Sequence, residues 1–88
     1  MRYRSELSDR AVRDLDRLSR DVQQRVIGKL EQLAENPYDS RLSAPLTNLP
    51  GLRQLRVGGW RIIFRLNDQR RVLYVLTIER RGQVYRRI

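Results

Sequence analysis

The sequence predicts an α+β fold in which an N-terminal strand and a helical hairpin pack on a C-terminal antiparallel β-sheet. Two observations support this prediction. Apolar residues recur at helical spacing through residues 8–35, whereas residues 52–78 contain three runs rich in Val, Leu, Ile, Tyr and Phe that turn residues separate. With 88 residues there is room for one hydrophobic core, so we expect residues 1–88 to form a single domain.

The first third of the chain predicts a short strand followed by two helices. Weak alternation around Tyr3 indicates the strand. Ser8 is a suitable N-cap for a first helix over about 8–18, because its hydroxyl can accept a hydrogen bond from a free backbone N–H of the first turn. A second apolar stripe restarts at Ser19 and ends before Asn36-Pro37, since proline disfavours helical geometry in the residue before it. The short connection between the stripes predicts a helical hairpin.

The second half predicts a connector followed by an antiparallel meander. Residues 37–51 are rich in Pro, Asp, Asn, Ser and Gly, which favour turns. The predicted strands cover 52–57, 60–66 and 71–78, with turns at Gly58-Gly59 and Asn67-Asp68. We expect residues 83–88 to be extended or to form a short terminal turn.

A two-residue loop at Gly58-Gly59 would fix the register of the first hairpin. The predicted pairs are Val57 with Trp60, Arg56 with Arg61, Leu55 with Ile62, and Gln54 with Ile63. One face then shows Leu55, Val57, Trp60, Ile62 and Phe64, and the other shows Gln54, Arg56, Arg61 and Arg65. Because like charges directly opposite each other are unfavourable, Arg56 and Arg61 require an anion or a nearby acid between them, unless each side chain extends into water.

The net charge of +9 lies entirely in the second half of the chain. Up to residue 40, seven arginines and Lys29 balance eight acids, whereas from residue 41 onward eleven arginines face only Asp68 and Glu79. A GC-rich genome would explain arginine in place of lysine, but it would not explain this segregation. Guanidinium groups bind phosphate bidentately and stack on bases, so we expect a polyanionic partner, with RNA the favoured one.

The absence of certain residue types narrows the range of reactions and sites that the chain can support. Without histidine or cysteine the chain has no imidazole acid or base, no thiolate nucleophile and no disulfide framework. There is no glycine-rich phosphate loop, and the acids of the basic half are too few for two-metal catalysis. Neither a signal peptide nor an apolar run long enough for a membrane span is present, so we expect a cytoplasmic protein without a membrane partner.

The C-terminal segment 79–87 adds cations and a phenol after the last predicted strand. Tyr85 either stacks on a base or moves a proton at a phosphate, or its ring closes the end of the core.

Nearly the whole chain resembles the RelE/ParE superfamily of bacterial type II toxin-antitoxin toxins. The most specific motif is LRQLRVGGWRIIF at residues 52–64, supported by AVRDLDRL at 11–18, ENP at 35–37 and RRGQVYR at 80–86. The resemblance implies a compact, microbial ribonuclease-like arrangement of helices and sheet. In the RelE branch it also implies cleavage of mRNA in the ribosomal A site, without metal or cofactor, leaving a 2′,3′-cyclic phosphate and a 5′-hydroxyl.

The resemblance also assigns roles by motif position. Arg61 would contact the scissile phosphate, Arg80 would stabilise the transition state, Tyr85 would orient or stack a nucleotide, and Arg56 would hold the RNA backbone as the fourth catalytic residue. The residues expected to bind RNA around them are Arg53, Gln54, Arg65, Arg81 and Arg86. RelE-like members often carry lysines before the Gly-Gly turn, one of them proposed as general base, and this chain does not. The general base is therefore unassigned, with Glu79 a weak substitute.

Three functions are consistent with this sequence. The favoured one is a ribosome-dependent mRNA endonuclease toxin that a cognate antitoxin neutralises, with any contact to DNA made through the antitoxin complex. The second is a ParE-like inhibitor of DNA gyrase, and the third is a non-catalytic RNA-binding relative.

Overall fold

Five strands form one sheet in the order β1-β5-β4-β3-β2. The computed structural model describes residues 2–80. The elements are β1 (Arg4–Leu7), α1 (Asp9–Asp16), α2 (Arg20–Glu35), β2 (Ser43–Pro45), β3 (Arg53–Val57), β4 (Trp60–Asn67) and β5 (Val72–Arg80). β1 runs parallel to β5, and the other neighbouring strands are antiparallel. The predicted α+β fold and the meander of its last three strands are confirmed.

Several element bounds differ from the prediction. The segment predicted as a connector contains β2, a three-residue edge strand that pairs with β3. α1 ends at Asp16, because the chain turns there to reach Ser19, the N-cap of α2. β5 continues to Arg80, so Glu79 and Arg80, the first two residues of the segment expected to follow the last strand, belong to that strand. The predicted terminal piece, residues 83–88, lies outside the described residues.

The predicted register of the first hairpin is confirmed at all four pairs. It gives β3 and β4 one apolar face, and both helices pack on that face. The core cluster is Ala11, Leu18, Val26, Leu30, Leu33, Leu55, Val57, Ile62, Phe64, Leu73, Val75 and Ile78, with Trp60 packed at its edge. We call this the helix face of the sheet and the opposite side the open face.

A β-bulge changes the alternation of β5. Phe64 pairs with Val75 but Ile63 pairs with Thr77, so β5 has one extra residue, Leu76, between these two pairs. Such an insertion exchanges the faces of every residue beyond it. As a result Ile78, rather than Thr77, enters the core.

The free edge of β5 is completed by α1. β1 ends opposite Val75, which leaves the following backbone groups of β5 without a strand neighbour on that side. The Ser8 hydroxyl donates to the carbonyl oxygen of Leu76 at 2.7 Å while accepting the N–H of Ala11, so one side chain serves both the strand and the helix N-terminus. The Asp14 carboxylate accepts the N–H of Ile78 at 3.0 Å. These bonds fix α1 beside the end of β5.

At the other end of the fold, a carboxylate and two phenols link separate segments of the chain. Asp68, in the turn between β4 and β5, accepts a hydrogen bond of 2.6 Å from Tyr3 and another of 2.6 Å from Tyr38. These bonds lower the pKa of Asp68 and are the largest cause of the raised pKa values of both tyrosines. The cluster therefore ties the N-terminal segment and the loop after α2 to one turn of the sheet.

The signs of these pKa shifts predict two pH limits for the stability that the cluster contributes. A lowered carboxylate pKa means that this stability is present above the ordinary aspartate pKa of about 4 and is lost as the pH falls through the lowered value. A raised phenol pKa means that it is present below the ordinary tyrosine pKa of about 10 and is lost as the pH rises through the raised value. Asp68→Asn should lower the melting temperature near neutral pH and flatten both limits.

The melting temperature is measured by circular dichroism from about pH 3 to about pH 11 for the wild type and for Asp68→Asn. Asp39→Asn is the matched control, because hydrogen bonds from Arg41 lower the pKa of Asp39 to about 2 and no tyrosine takes part. Asp39→Asn should change the melting temperature only on the acid side of the pH profile. An unchanged alkaline limit in Asp68→Asn would contradict the assignment.

Candidate functional site

Three arginines occupy neighbouring positions on the open face, of which two are exposed and one, Arg61, is buried. Arg56 lies on β3, and Arg61 and Arg65 lie on β4, two strands that the glycine turn holds in fixed register. Gln54 shares this face through its pairing with Ile63. Both described helices bury their apolar residues against the other face. The structure thus brings together four of the residues that the sequence indicated.

Arg61 is the most enclosed of these cations. It is only 5% exposed, so the alternative in which its side chain extends into water is wrong. Its Cα partners are Arg56 on one side and Glu79 on the other. The register therefore supplies the nearby acid that two opposed arginines require. Glu79 is also 3.4 Å from Arg10 of α1, which anchors this carboxylate at the edge of the sheet.

The open face continues towards β1 as a second cationic region. Arg65 pairs with Tyr74 of β5, and its guanidinium carbon lies 5.4 Å from the centroid of the tyrosine ring. The two residues line a cleft of about 590 Å³. Tyr74 was not among the residues indicated by the sequence. The length of the loop could have indicated it, because a four-residue loop at 68–71 places Tyr74 directly opposite Arg65.

Arg53 does not join the other arginines. It lies two residues before Leu55 and therefore shares the helix face. Its Nε donates to the Ser43 hydroxyl at 2.8 Å, and its guanidinium lies 5.0 Å from the centre of the Tyr38 ring. These contacts fix it at the end of the sheet where Asp68 binds the tyrosines.

Arg80 is also on the helix face. It pairs with Trp60, and its guanidinium carbon is 5.3 Å from the centroid of the indole. Its side chain lines a groove with Asp14 and Arg17 beside α1. The expected grouping of Arg80 with Arg61 is therefore not seen, because the two side chains lie on opposite faces. Arg81, Tyr85 and Arg86 lie outside the described residues, and their assigned roles stay predictions.

Within residues 2–80, no group of three histidine, cysteine or acidic side chains is arranged to hold a metal ion. No helix in the same range is long and apolar enough to cross a membrane.

Comparisons with known proteins agree on one superfamily of toxins. A sequence model of the ParE toxin of the type II toxin-antitoxin system parDE matches residues 6–85. A RelE-like toxin protein of Escherichia coli is 24% identical over 86 residues, which cover 92% of this chain and 85% of that protein.

Solved structures share the fold. A chain of the toxin-antitoxin complex RelBE2 from Mycobacterium tuberculosis superposes with a TM-score of 0.82 at 25% identity, covering 92% of this chain and all of the other. The isolated RelE toxin of E. coli gives a TM-score of 0.77 at 21% identity, covering 97% of this chain and 93% of that one. Since the family match spans nearly the whole chain, this protein belongs to the ParE toxin family of type II toxin-antitoxin systems, within the RelE/ParE superfamily.

Proposed function

We propose that this toxin cleaves mRNA on the ribosome and so inhibits translation. The observation that supports this proposal is the set of three arginines, at positions 56, 61 and 65, on one open face of a rigid sheet. Guanidinium groups fixed on strands are suited to hold an RNA backbone, because their planar N–H groups match phosphate oxygens and need little reordering on binding.

The proposed chemistry uses the RNA as its own nucleophile. The 2′-hydroxyl attacks the adjacent phosphorus, the bond from phosphorus to the 5′ oxygen breaks, and the products are a 2′,3′-cyclic phosphate and a 5′-hydroxyl. Arg61, with Arg56 beside it, would neutralise the charge that accumulates on the phosphate oxygens. Glu79, the Cα partner of Arg61 on β5, is our candidate to accept the proton of the 2′-hydroxyl. The departing 5′ oxygen takes up a proton from solvent.

A cognate antitoxin is the proposed protein partner. The M. tuberculosis relative with a TM-score of 0.82 was solved as a toxin-antitoxin complex, which supports a similar assembly here. An antitoxin that covers the open face would block RNA and neutralise its positive charge. We place this pair in the cytoplasm, where ribosomes are.

A second function, inhibition of DNA gyrase, is favoured by a different observation. The family model that matches this chain is that of ParE, and the resemblance to ParE toxins implies gyrase as the target. In addition, this chain has Arg53, Gln54 and Arg56 before the Gly-Gly turn, where RelE-like members often have lysines. Gyrase inhibition would need a protein-binding surface and no general base.

One pair of assays separates the two functions. Purified protein is added to a cell-free translation reaction, and the reporter mRNA is mapped by primer extension. The proposal expects new cuts that require translating ribosomes. Arg13→Gln removes one exposed arginine from α1, on the helix side of the sheet, and should cleave like the wild type. Intact mRNA together with blocked supercoiling by purified gyrase would replace the nuclease with the second function.

A further inference from the structure

The cleft on the open face has the chemistry of a stacking site for a nucleic-acid base. Its walls include Arg65 and Asn67 of β4, Arg70 of the turn, Tyr74 of β5, and Arg4 with Glu6 of β1. A volume of about 590 Å³ is within the range of clefts that bind small organic groups. Cations interleaved with an aromatic ring on an open sheet are typical of surfaces that bind single-stranded nucleic acids.

The ring at the centre of this cleft is held rigidly. Tyr74 is half-buried on β5, which has β1 on one side and β4 on the other. Its Cα partners are Glu6 on β1 and Arg65 on β4, so strands on both sides fix its position. A rigid ring loses little conformational entropy when a base stacks on it.

The charges around the ring are not balanced within the described part of the chain. Two acids line the cleft: Glu6 is paired with Arg4 at 2.9 Å, and Asp68 accepts the hydrogen bonds of Tyr3 and Tyr38. Arg65 makes no ion pair within residues 2–80, and its contact there is with the Tyr74 ring. Its exposed guanidinium edge is therefore available to a phosphate, while the plane that lies over the ring extends the stacking surface.

The cleft is also continuous with the proposed cleavage site. Arg65 and Arg61 are four residues apart on β4 and face the same side, so their Cα atoms are about 13 Å apart along the strand. An RNA strand bound at Arg61 and running along β4 towards the turn reaches Tyr74.

We propose that Tyr74 and Arg65 form a subsite that binds one base and one phosphate of the single-stranded RNA flanking the cleaved bond. This subsite deepens the proposed function and rests on it. It gives the toxin a preference for unpaired RNA beyond the residues at the scissile phosphate.

The test measures binding without cleavage. A short fluorescent RNA with 2′-O-methyl groups cannot be cut by attack of its own 2′-hydroxyl, so its anisotropy reports affinity alone. Tyr74→Leu keeps an apolar side chain but removes the ring, and it should weaken binding about 10-fold. Tyr74→Phe should bind like the wild type. Arg65→Gln should clearly lower the affinity for the RNA. Arg13→Gln also removes one cation, but from outside the cleft, and it is the control that should bind like the wild type.

Abasic substitution shows whether the ring contacts a base. In the wild type, removing the base at one position of the RNA should weaken binding by a similar factor. In Tyr74→Leu the same abasic RNA should bind as well as the intact RNA, because no stacking is left to lose. Equal binding by wild type and Tyr74→Leu, no abasic-sensitive position, or no binding of RNA by the wild type would each overturn the subsite.

This result is independent of the cleavage assay. If mRNA is cut on ribosomes but Tyr74→Leu binds the oligonucleotide normally, the subsite fails and the nuclease stands. If the oligonucleotide shows the Tyr74 dependence but mRNA stays intact during translation, the nuclease fails and RNA binding stands.

Discussion

Replacing Arg61 with glutamine is expected to reduce mRNA cleavage at least about 100-fold while the protein stays folded. The side chain is enclosed in the sheet between Arg56 and Glu79, where water screens charge weakly. A guanidinium held in place before the reaction stabilises the phosphate charge at no cost of reorganisation. Glutamine keeps a hydrogen-bond donor of similar shape but removes the positive charge.

The same burial creates a structural effect that must be separated from the chemical one. Removing a buried arginine that lies beside a carboxylate costs roughly 3 to 5 kcal/mol when the carboxylate is left uncompensated. Arg10, 3.4 Å from Glu79, reduces this cost here. We therefore expect Arg61→Gln to be destabilised and the double variant Arg61→Gln/Glu79→Gln to recover part of that loss, because it leaves no acid behind.

Cleavage by primer extension and unfolding by urea together distinguish the two roles. Because Glu79 is itself the proposed general base, the double variant reports stability alone, and cleavage is compared between wild type and Arg61→Gln under conditions where urea unfolding shows both to be folded. Arg61→Lys keeps the charge but not the planar fork, and it should retain a fraction of the activity. Cleavage near the wild-type level in folded Arg61→Gln would show that Arg61 has a structural role only.

Local sequence signals were enough to predict the helix face of β3 and β4. Gly58 has a φ of 56°, a left-handed conformation that glycine adopts without strain, and the two-residue loop fixes the pairs on both sides of it. Once Val57 pairs with Trp60, the alternation of side chains determines which arginines share a face. Gln54, Arg56, Arg61 and Arg65 followed from this rule.

The position of Arg80 could not be predicted without the bulge in β5. If the pairing that includes Arg65 and Tyr74 continued along β5 without an insertion, Arg80 would lie on the open face and Glu79 on the helix face. The extra residue at Leu76 exchanges them, so that Glu79 lies beside Arg61 and Arg80 lies over Trp60. The sequence contains one sign of the bulge. After Leu73 and Val75 the next alternate position holds the polar Thr77, and the apolar residue that enters the core is Ile78.

Arg53 and β2 were missed for other reasons. Arg53 was assigned by motif position, although its spacing from Leu55 already places it on the helix face. β2 has only three residues, one of them Pro45, and its strand geometry comes from pairing with β3 rather than from local preference. Short edge strands of this kind give little signal in a single sequence.

Replacing Phe64 with alanine is expected to lower the free energy of unfolding by about 3 to 5 kcal/mol. Phe64 is fully buried at the centre of β4, between Arg53 of β3 and Val75 of β5, and belongs to the core cluster. A domain of this size has a total stability near the lower end of about 5 to 15 kcal/mol, so this one change removes most of it. Urea unfolding measures the loss. Ile27→Ala, at a half-exposed position of α2, is the control and should change stability by less than about 1 kcal/mol.

The antitoxin distinguishes this loss of fold from the loss of chemistry in Arg61→Gln. A partner that binds only the folded toxin adds about 2.7 kcal/mol of stability when its free concentration is 100 times its dissociation constant. Phe64→Ala should therefore be degraded when expressed alone but recovered as a soluble complex when its cognate antitoxin is co-expressed. Both variants would permit growth, but Arg61→Gln would accumulate as a folded protein without the antitoxin. If Phe64→Ala alone accumulates and arrests growth, the helix face of the sheet is not the source of stability that its burial indicates.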